Sequence, residues 1–218
     1  MEKILQGMIE TMNSVKPPRI TALNALHEAE TEGPFSILIG TILSARTRDE
    51  TTTKVVKNLL ARYKSPKALA NAKVKDVEKI IKSIGFYHIK AKRIIEVASI
   101  INSQYGGTVP DNFEKLLELP GVGRKTANCV LVYAFDKPAI PVDIHVHRIS
   151  NRLGLVDTKT PEDTEFELMK KIPKKYWLKI NDTFVMYGQN ICKPISPMCN
   201  ICKIKRKCNY YKSKKNAS

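Results

Sequence analysis

At 218 residues the chain can bury a proper core, as one large domain or two small ones. Its 37 Lys and Arg against 21 Asp and Glu leave a net charge of +16, which points to a polyanionic partner. With no apolar run of membrane length, no lipidation signal and no signal-peptide core near the N-terminus, the composition argues against membrane-spanning and secreted classes and for an intracellular protein.

In chain order, Met1–Val15 places Ile4, Leu5, Met8, Ile9 and Met12 at helical spacing, an amphipathic helix. Pro34 opens a nearly all-apolar stretch from Phe35 to Ala45, read as a central core helix. Further helices are expected at Thr51–Arg62, Pro66–Asn71, Val74–Ser83, Lys90–Tyr105, Phe113–Glu118, Lys125–Phe135, Val146–Leu153, Pro161–Lys170 and Tyr176–Gln189. Glycine and proline punctuate them at Gly106-Gly107, Pro110, Pro120-Gly121, Pro138 and Pro141. No strand-length alternation appears, so the class is all-α.

Between two of these helices lies Leu119-Pro120-Gly121-Val122-Gly123-Arg124-Lys125-Thr126-Ala127. One helix ends, two glycines turn the chain, and a second helix starts at once. Exposed amides at that start, with the positive end of the helix dipole, make a phosphate site. The plain alternative is a helix–helix corner. The earlier stretch Ile84-Gly85-Phe86-Tyr87-His88-Ile89-Lys90-Ala91 repeats the layout, its glycine 36 residues before Gly121. It reads as a degenerate second hairpin, or equally as an ordinary turn. Asp143, after Pro141 and before an apolar helical stretch, has the placement of an N-cap.

Near the end of the chain stand Cys192-x6-Cys199-x2-Cys202-x5-Cys208. Four thiolates within seventeen residues can enclose a metal centre. Disulfides are disfavoured in an intracellular chain. Tetrathiolate zinc sites commonly pair two short hairpins, and only Cys199 and Cys202 are so close, whereas iron–sulfur clusters tolerate uneven loops. Spacing leaves both metals open. Lys203, Lys205, Arg206 and Lys207 fill the last gap, and from Cys192 to the end there are eight basic residues and no acidic one. That is a phosphate-gripping loop or a solubilising tail. Cys129, in an apolar helical stretch, reads as a small buried residue.

The hairpin, Val142-Asp143-Ile144-His145-Val146 and the cysteine tail, in this order and spacing, resemble the endonuclease III family. These are bifunctional DNA glycosylase/AP lyases of the helix-hairpin-helix superfamily, and the resemblance runs from about Pro34 to Cys208. It implies a [4Fe-4S] cluster on Cys192, Cys199, Cys202 and Cys208. It also implies a catalytic lysine at Lys125 and a catalytic aspartate at Asp143, eighteen residues on. An amine can attack C1′ of the damaged nucleotide, expel the base and form a Schiff base that permits β-elimination of the 3′ phosphate. A carboxylate would stabilise the developing positive charge.

Leu43-Ser44-Ala45-Arg46-Thr47-Arg48-Asp49 matches the family's L-S-A-Q-x-T-D loop, whose glutamine fills the gap left by the extruded nucleotide; Arg46 stands in its place. Phe86 corresponds to a second, apolar wedge, or is a half-buried aromatic between helices. Gly121, Val122, Gly123 and Arg124 are expected against DNA phosphates, with Lys193 and the four basic residues of the last loop. His145 is a core or capping histidine, or a backbone contact. Two departures stand out: Ile144 replaces the family's threonine, and the first cysteine loop holds one basic residue, Lys193, where the family has several.

The resemblance implies two helical lobes with a DNA-binding cleft between them. A six-helix lobe, 26–136, would end in the hairpin, and 1–25 with 137–218 would carry the cluster motif at 192–208. The function implied is removal of oxidised pyrimidines from duplex DNA and nicking 3′ to the abasic site. Partners would be double-stranded DNA with damaged bases or abasic sites and no membrane; a cytoplasmic, nucleoid-associated monomer is expected. Thymine-mismatch, adenine-mismatch and methylpurine glycosylases of the same superfamily are the alternatives, with a non-catalytic DNA-binding protein. The thymine-mismatch branch typically has tyrosine where Lys125 stands. The adenine-mismatch enzyme usually carries an extra C-terminal domain that 218 residues cannot house.

Overall fold

A computed structural model describes residues 1–15, 33–45 and 47–216. Among them are twelve α-helices and no strand: α1 (Glu2–Met12), α2 (Gly33–Ser44), α3 (Asp49–Arg62), α4 (Pro66–Ala70), α5 (Val74–Ile80), α6 (Tyr87–Gln104), α7 (Phe113–Leu117), α8 (Arg124–Phe135), α9 (Ile144–Leu153), α10 (Pro161–Lys171), α11 (Trp177–Asn190) and α12 (Asn209–Asn216). None is long and apolar enough to cross a membrane. The chain divides into two compact units, one of Ile20–Lys137 and one of Met1–Arg19 with Pro138–Ser218.

In the first unit α2 is the axis. Every residue from Ser36 to Leu43 is buried, so the helix is covered all round, as its unbroken apolar sequence requires. It packs on α3, α6 and α8. Truncating Leu38 or Ile39, both fully buried, would cost about 2–5 kcal/mol. Short helices here depend on caps: Ser65 accepts from Ala68 N–H at 3.2 Å ahead of Pro66, and Asn112 accepts from Lys115 N–H at 3.0 Å.

The helix expected from Lys90 starts three residues earlier, at Tyr87. Phe86 takes a left-handed conformation (φ 59°, ψ 34°) that turns the chain abruptly, and its carbonyl accepts the Lys90 N–H at 3.1 Å. Conversely α5 ends at Ile80, short of Ser83, because the chain tightens into a turn with Ile84 N–H donating to Ile81 O.

In the second unit α1, α9 and α11 share a core that includes Leu5, Met8, Val146, Ile149, Ile180 and Phe184. Ile204, from the cysteine-bearing segment, joins it and abuts Gly7 of α1. Thr11 of α1, fully buried, accepts the Lys203 N–H at 3.1 Å, so the N-terminal helix is bound to the last cysteine loop.

Candidate functional site

The hairpin is anchored by apolar side chains and presents its glycines. Leu119 and Val122 are buried, whereas Gly121, Gly123 and Lys125 are exposed. Gly121 sits at φ 75°, and a Cβ there would run into the Arg93 side chain. The positive φ is what favours glycine, since the Arg93 side chain could move aside. Gly123 (φ −96°, ψ 179°) is the N-cap of α8 and offers no side chain to its first amides. Those amides are what an anion would meet. Arg124 lies 4.9 Å over the Phe113 ring, and Lys125 projects from the second residue of the helix.

Phe86 is 59% exposed on its left-handed turn. A bulky residue at positive φ is strained, and such strain gathers at functional sites. Arg46 lies outside the described residues, but its neighbours are placed. Thr47 Oγ1 accepts the Gly85 N–H at 3.3 Å, linking that loop to the Phe86 turn. Lys90, only 5% exposed, donates through Nζ to Leu43 O (2.8 Å) and Ala45 O (2.6 Å). Burial, and secondarily the Arg93 charge, lower its pKa to about 8.

In the other unit Asp143 caps α9: one carboxylate oxygen accepts from His145 N–H and Val146 N–H, both at 2.8 Å. The segment before it is held by Asn181, whose side-chain amide donates to Pro141 O at 2.7 Å. Two donors and extended backbone (φ −101°, ψ −174°) fix the carboxylate's direction. Ile144 beside it is 68% exposed, unusual for a large apolar residue. The His145 ring has a local partner, with Nδ1 3.0 Å from Arg148 Nη2. Gly188 packs so close to both that a Cβ would collide with the His145 ring. This favours an internal role for His145 over a backbone contact.

The four cysteines line one pocket, with Ile149, Leu153, Ile191 and Tyr187 among its walls. Burial raises the Cys199 and Cys208 thiols, and Cys192 and Cys202 push the same way. Thiolates are costly there without a positive partner. Tyr187 OH donates to Cys202 Sγ at 3.0 Å and Arg152 Nη1 to Cys192 Sγ at 3.4 Å. No three described His, Cys, Asp or Glu side chains are grouped as ligands of one metal ion. Arg148 and Arg152, one turn apart on α9, also bind the carbonyls of Cys192, Lys193 and Pro194 at 2.8–3.2 Å. Sequence reasoning missed both arginines; their i, i+4 spacing was the available signal.

The basic residues of this unit differ in freedom. Lys203 pairs with Glu10 at 3.2 Å, and Lys205 Nζ donates to Asn200 O at 2.8 Å. Arg206 and Lys207, on a single 3₁₀ turn, are exposed, as is Lys193.

Residues 39–174 match the model of the HhH-GPD superfamily base excision DNA repair proteins. The chain belongs to that superfamily and, within it, to the endonuclease III family. The endonuclease III of Thermotoga maritima is 53% identical over 82% of this chain and 84% of its own. A solved non-covalent endonuclease III–DNA complex superposes with a TM-score of 0.83 at 34% identity, covering 99% of this chain and 98% of that one. A trapped covalent endonuclease III–DNA intermediate superposes with the same score at 33% identity, covering 98% and 96%.

Proposed function

We propose that this chain excises oxidised pyrimidines from duplex DNA, with Lys125 as the covalent nucleophile and Asp143 as the supporting carboxylate. As a member of its family it is a DNA glycosylase and AP lyase of base excision repair. The observation that carries the assignment is an exposed lysine one residue inside a helix whose glycine cap leaves its amides to a phosphate. The neutral amine attacks C1′, the glycosidic bond breaks, and the base departs with the electron pair and a proton. The sugar ring then opens, the C1′–O4′ bond breaking as O4′ takes a proton, and the resulting Schiff base acidifies C2′; loss of that proton breaks the C3′–O bond and releases the 3′ phosphate. Hydrolysis then frees the lysine. The covalent DNA intermediate solved for a relative supports a route of this kind. Asp143, held by two amides, stabilises positive charge at the sugar. Duplexes carrying an oxidised pyrimidine or a methylated purine test the substrate class. Release of the pyrimidine with a nick on its 3′ side is expected, and preferential release of the purine would overturn the reading.

The cysteine pocket is read as the seat of a [4Fe-4S] cluster. The residues fit: four thiols line one pocket, and their uneven spacing suits a cluster better than the paired short hairpins of common tetrathiolate zinc sites. Cys192, Cys199, Cys202 and Cys208 would each ligate one iron of such a cluster, and hydrogen bonds to the sulfurs are a recurrent feature of such sites. The group supplies structural cross-linking; excision by the lysine route needs no electron. Purified protein is expected to contain about four irons per chain. Metal analysis returning one zinc and no iron contradicts this, and Cys129→Ala should leave the iron content unchanged.

Arg206 and Lys207 are proposed as phosphate contacts, with Lys193. Neutralising Arg206 and Lys207 together should flatten the log–log salt dependence of DNA binding by about one for each lost contact. Lys203→Gln should change it less, because Glu10 already pairs with that charge. Equal slopes for all variants would assign the loop a purely local role. No membrane partner is proposed, and a cytoplasmic location at the nucleoid is proposed as the site of such a substrate.

A further inference from the structure

We infer that Lys90 is a positioning residue for base extrusion: it fixes the loop around residue 46 to the turn that carries Phe86. The inference rests on the expectation, implied by the family resemblance and proposed here for this chain, that Arg46 fills the vacated space. Lysine at the start of an amphipathic helix is ordinarily a solvated group, and removing its charge from water is costly without strong partners. Here the amine is buried and spends its donors on Leu43 O and Ala45 O, at 2.8 and 2.6 Å. Those carbonyls belong to the C-terminal end of α2, where helix carbonyls lack intrahelical partners and the dipole is negative. A cation there holds the end of α2 and defines where the loop departs.

The other side of residue 46 is tied separately. Thr47 Oγ1 accepts the Gly85 N–H at 3.3 Å, next to Phe86. Residues 45 and 47 are therefore both bonded to the Gly85–Lys90 segment, one through a charged side chain and one through a backbone amide. One helical turn past Lys90, Arg93 lies where a Cβ on Gly121 would be, against the catalytic hairpin. The first two turns of α6 thus bind the carbonyls of Leu43 and Ala45, follow directly on Phe86 and bring the Arg93 side chain against the hairpin glycine Gly121. Extrusion requires the gap-filling side chain to arrive in register as the base leaves, so a loop freed at residue 45 loses that register.

The test is a double-mutant cycle on two substrates. One is a duplex with a base-paired lesion, and the other carries a pre-formed abasic site, where no base needs expelling. Lys90→Met keeps the apolar stem and removes the amine. It is expected to slow excision of the paired lesion about tenfold, with less than about a twofold loss on the abasic substrate. Added to Arg46→Ala, it should cause little further loss, because both act through one side chain. Equal losses on the two substrates, or a full multiplicative loss in the Arg46→Ala background, would overturn the inference. If Arg46→Ala itself lacks selectivity for the paired substrate, the gap-filling reading falls and this inference with it. If Arg46→Ala is selective and Lys90→Met is not, only the role of Lys90 falls. Should Lys90→Met fail to fold by circular dichroism, Thr47→Val carries the same cycle: a smaller paired-selective loss that vanishes with Arg46→Ala supports the inference, and a non-selective loss overturns it.

Discussion

Lys125→Gln is expected to reduce strand cleavage at abasic sites by about four orders of magnitude or more, since it removes the covalent route itself. Affinity for abasic duplex should stay within several-fold. The hairpin amides, Arg124 and the basic surface remain, and phosphate contacts fix position without the nucleophile. Folding should be unaffected because Lys125 is exposed at a helix start. Single-turnover cleavage with a parallel binding titration checks the prediction. A variant that binds weakly and cleaves in proportion would make Lys125 a binding residue.

Asp143 caps its helix and is proposed as the catalytic carboxylate, and two substitutions divide the cap from the proposed role. Its carboxylate caps α9 through His145 N–H and Val146 N–H. Asparagine is also a good N-cap, so Asp143→Asn should keep thermal stability nearly intact while turnover falls by about 10²–10³, the loss typical of one preorganised electrostatic group. Asp143→Ala should lose the same turnover and about 1 kcal/mol of stability besides, the usual cost of deleting a cap. Thermal melts and single-turnover excision measure both. Asp143→Asn with full activity would reduce the residue to a helix cap.

Most of the helices were legible because period-3.6 apolar spacing and the Gly and Pro punctuation agree. The P-G-x-G turn was legible for the same local reason: its first glycine, Gly121, takes the positive φ that the turn requires. The start of α6 was not, because a phenylalanine in the left-handed region has no sequence signature; only packing reveals that the chain turns there. Lys90 looked like an ordinary charged helix residue, and its burial depends on carbonyls more than forty positions away in sequence. Arg148 and Arg152 were hidden likewise, since their acceptors on Cys192, Lys193 and Pro194 are supplied by a distant segment. Asp143 was readable both as cap and as catalytic carboxylate, and the geometry of one suits the other.

The central claim is that one named amine becomes bonded to DNA. Borohydride reduction of the protein turning over a duplex with an abasic site, followed by proteolysis and mass mapping, reads this directly. The account predicts a single DNA-linked peptide with the adduct on Lys125. An adduct on any other residue, or strand cleavage that proceeds with no trapped species, would contradict it.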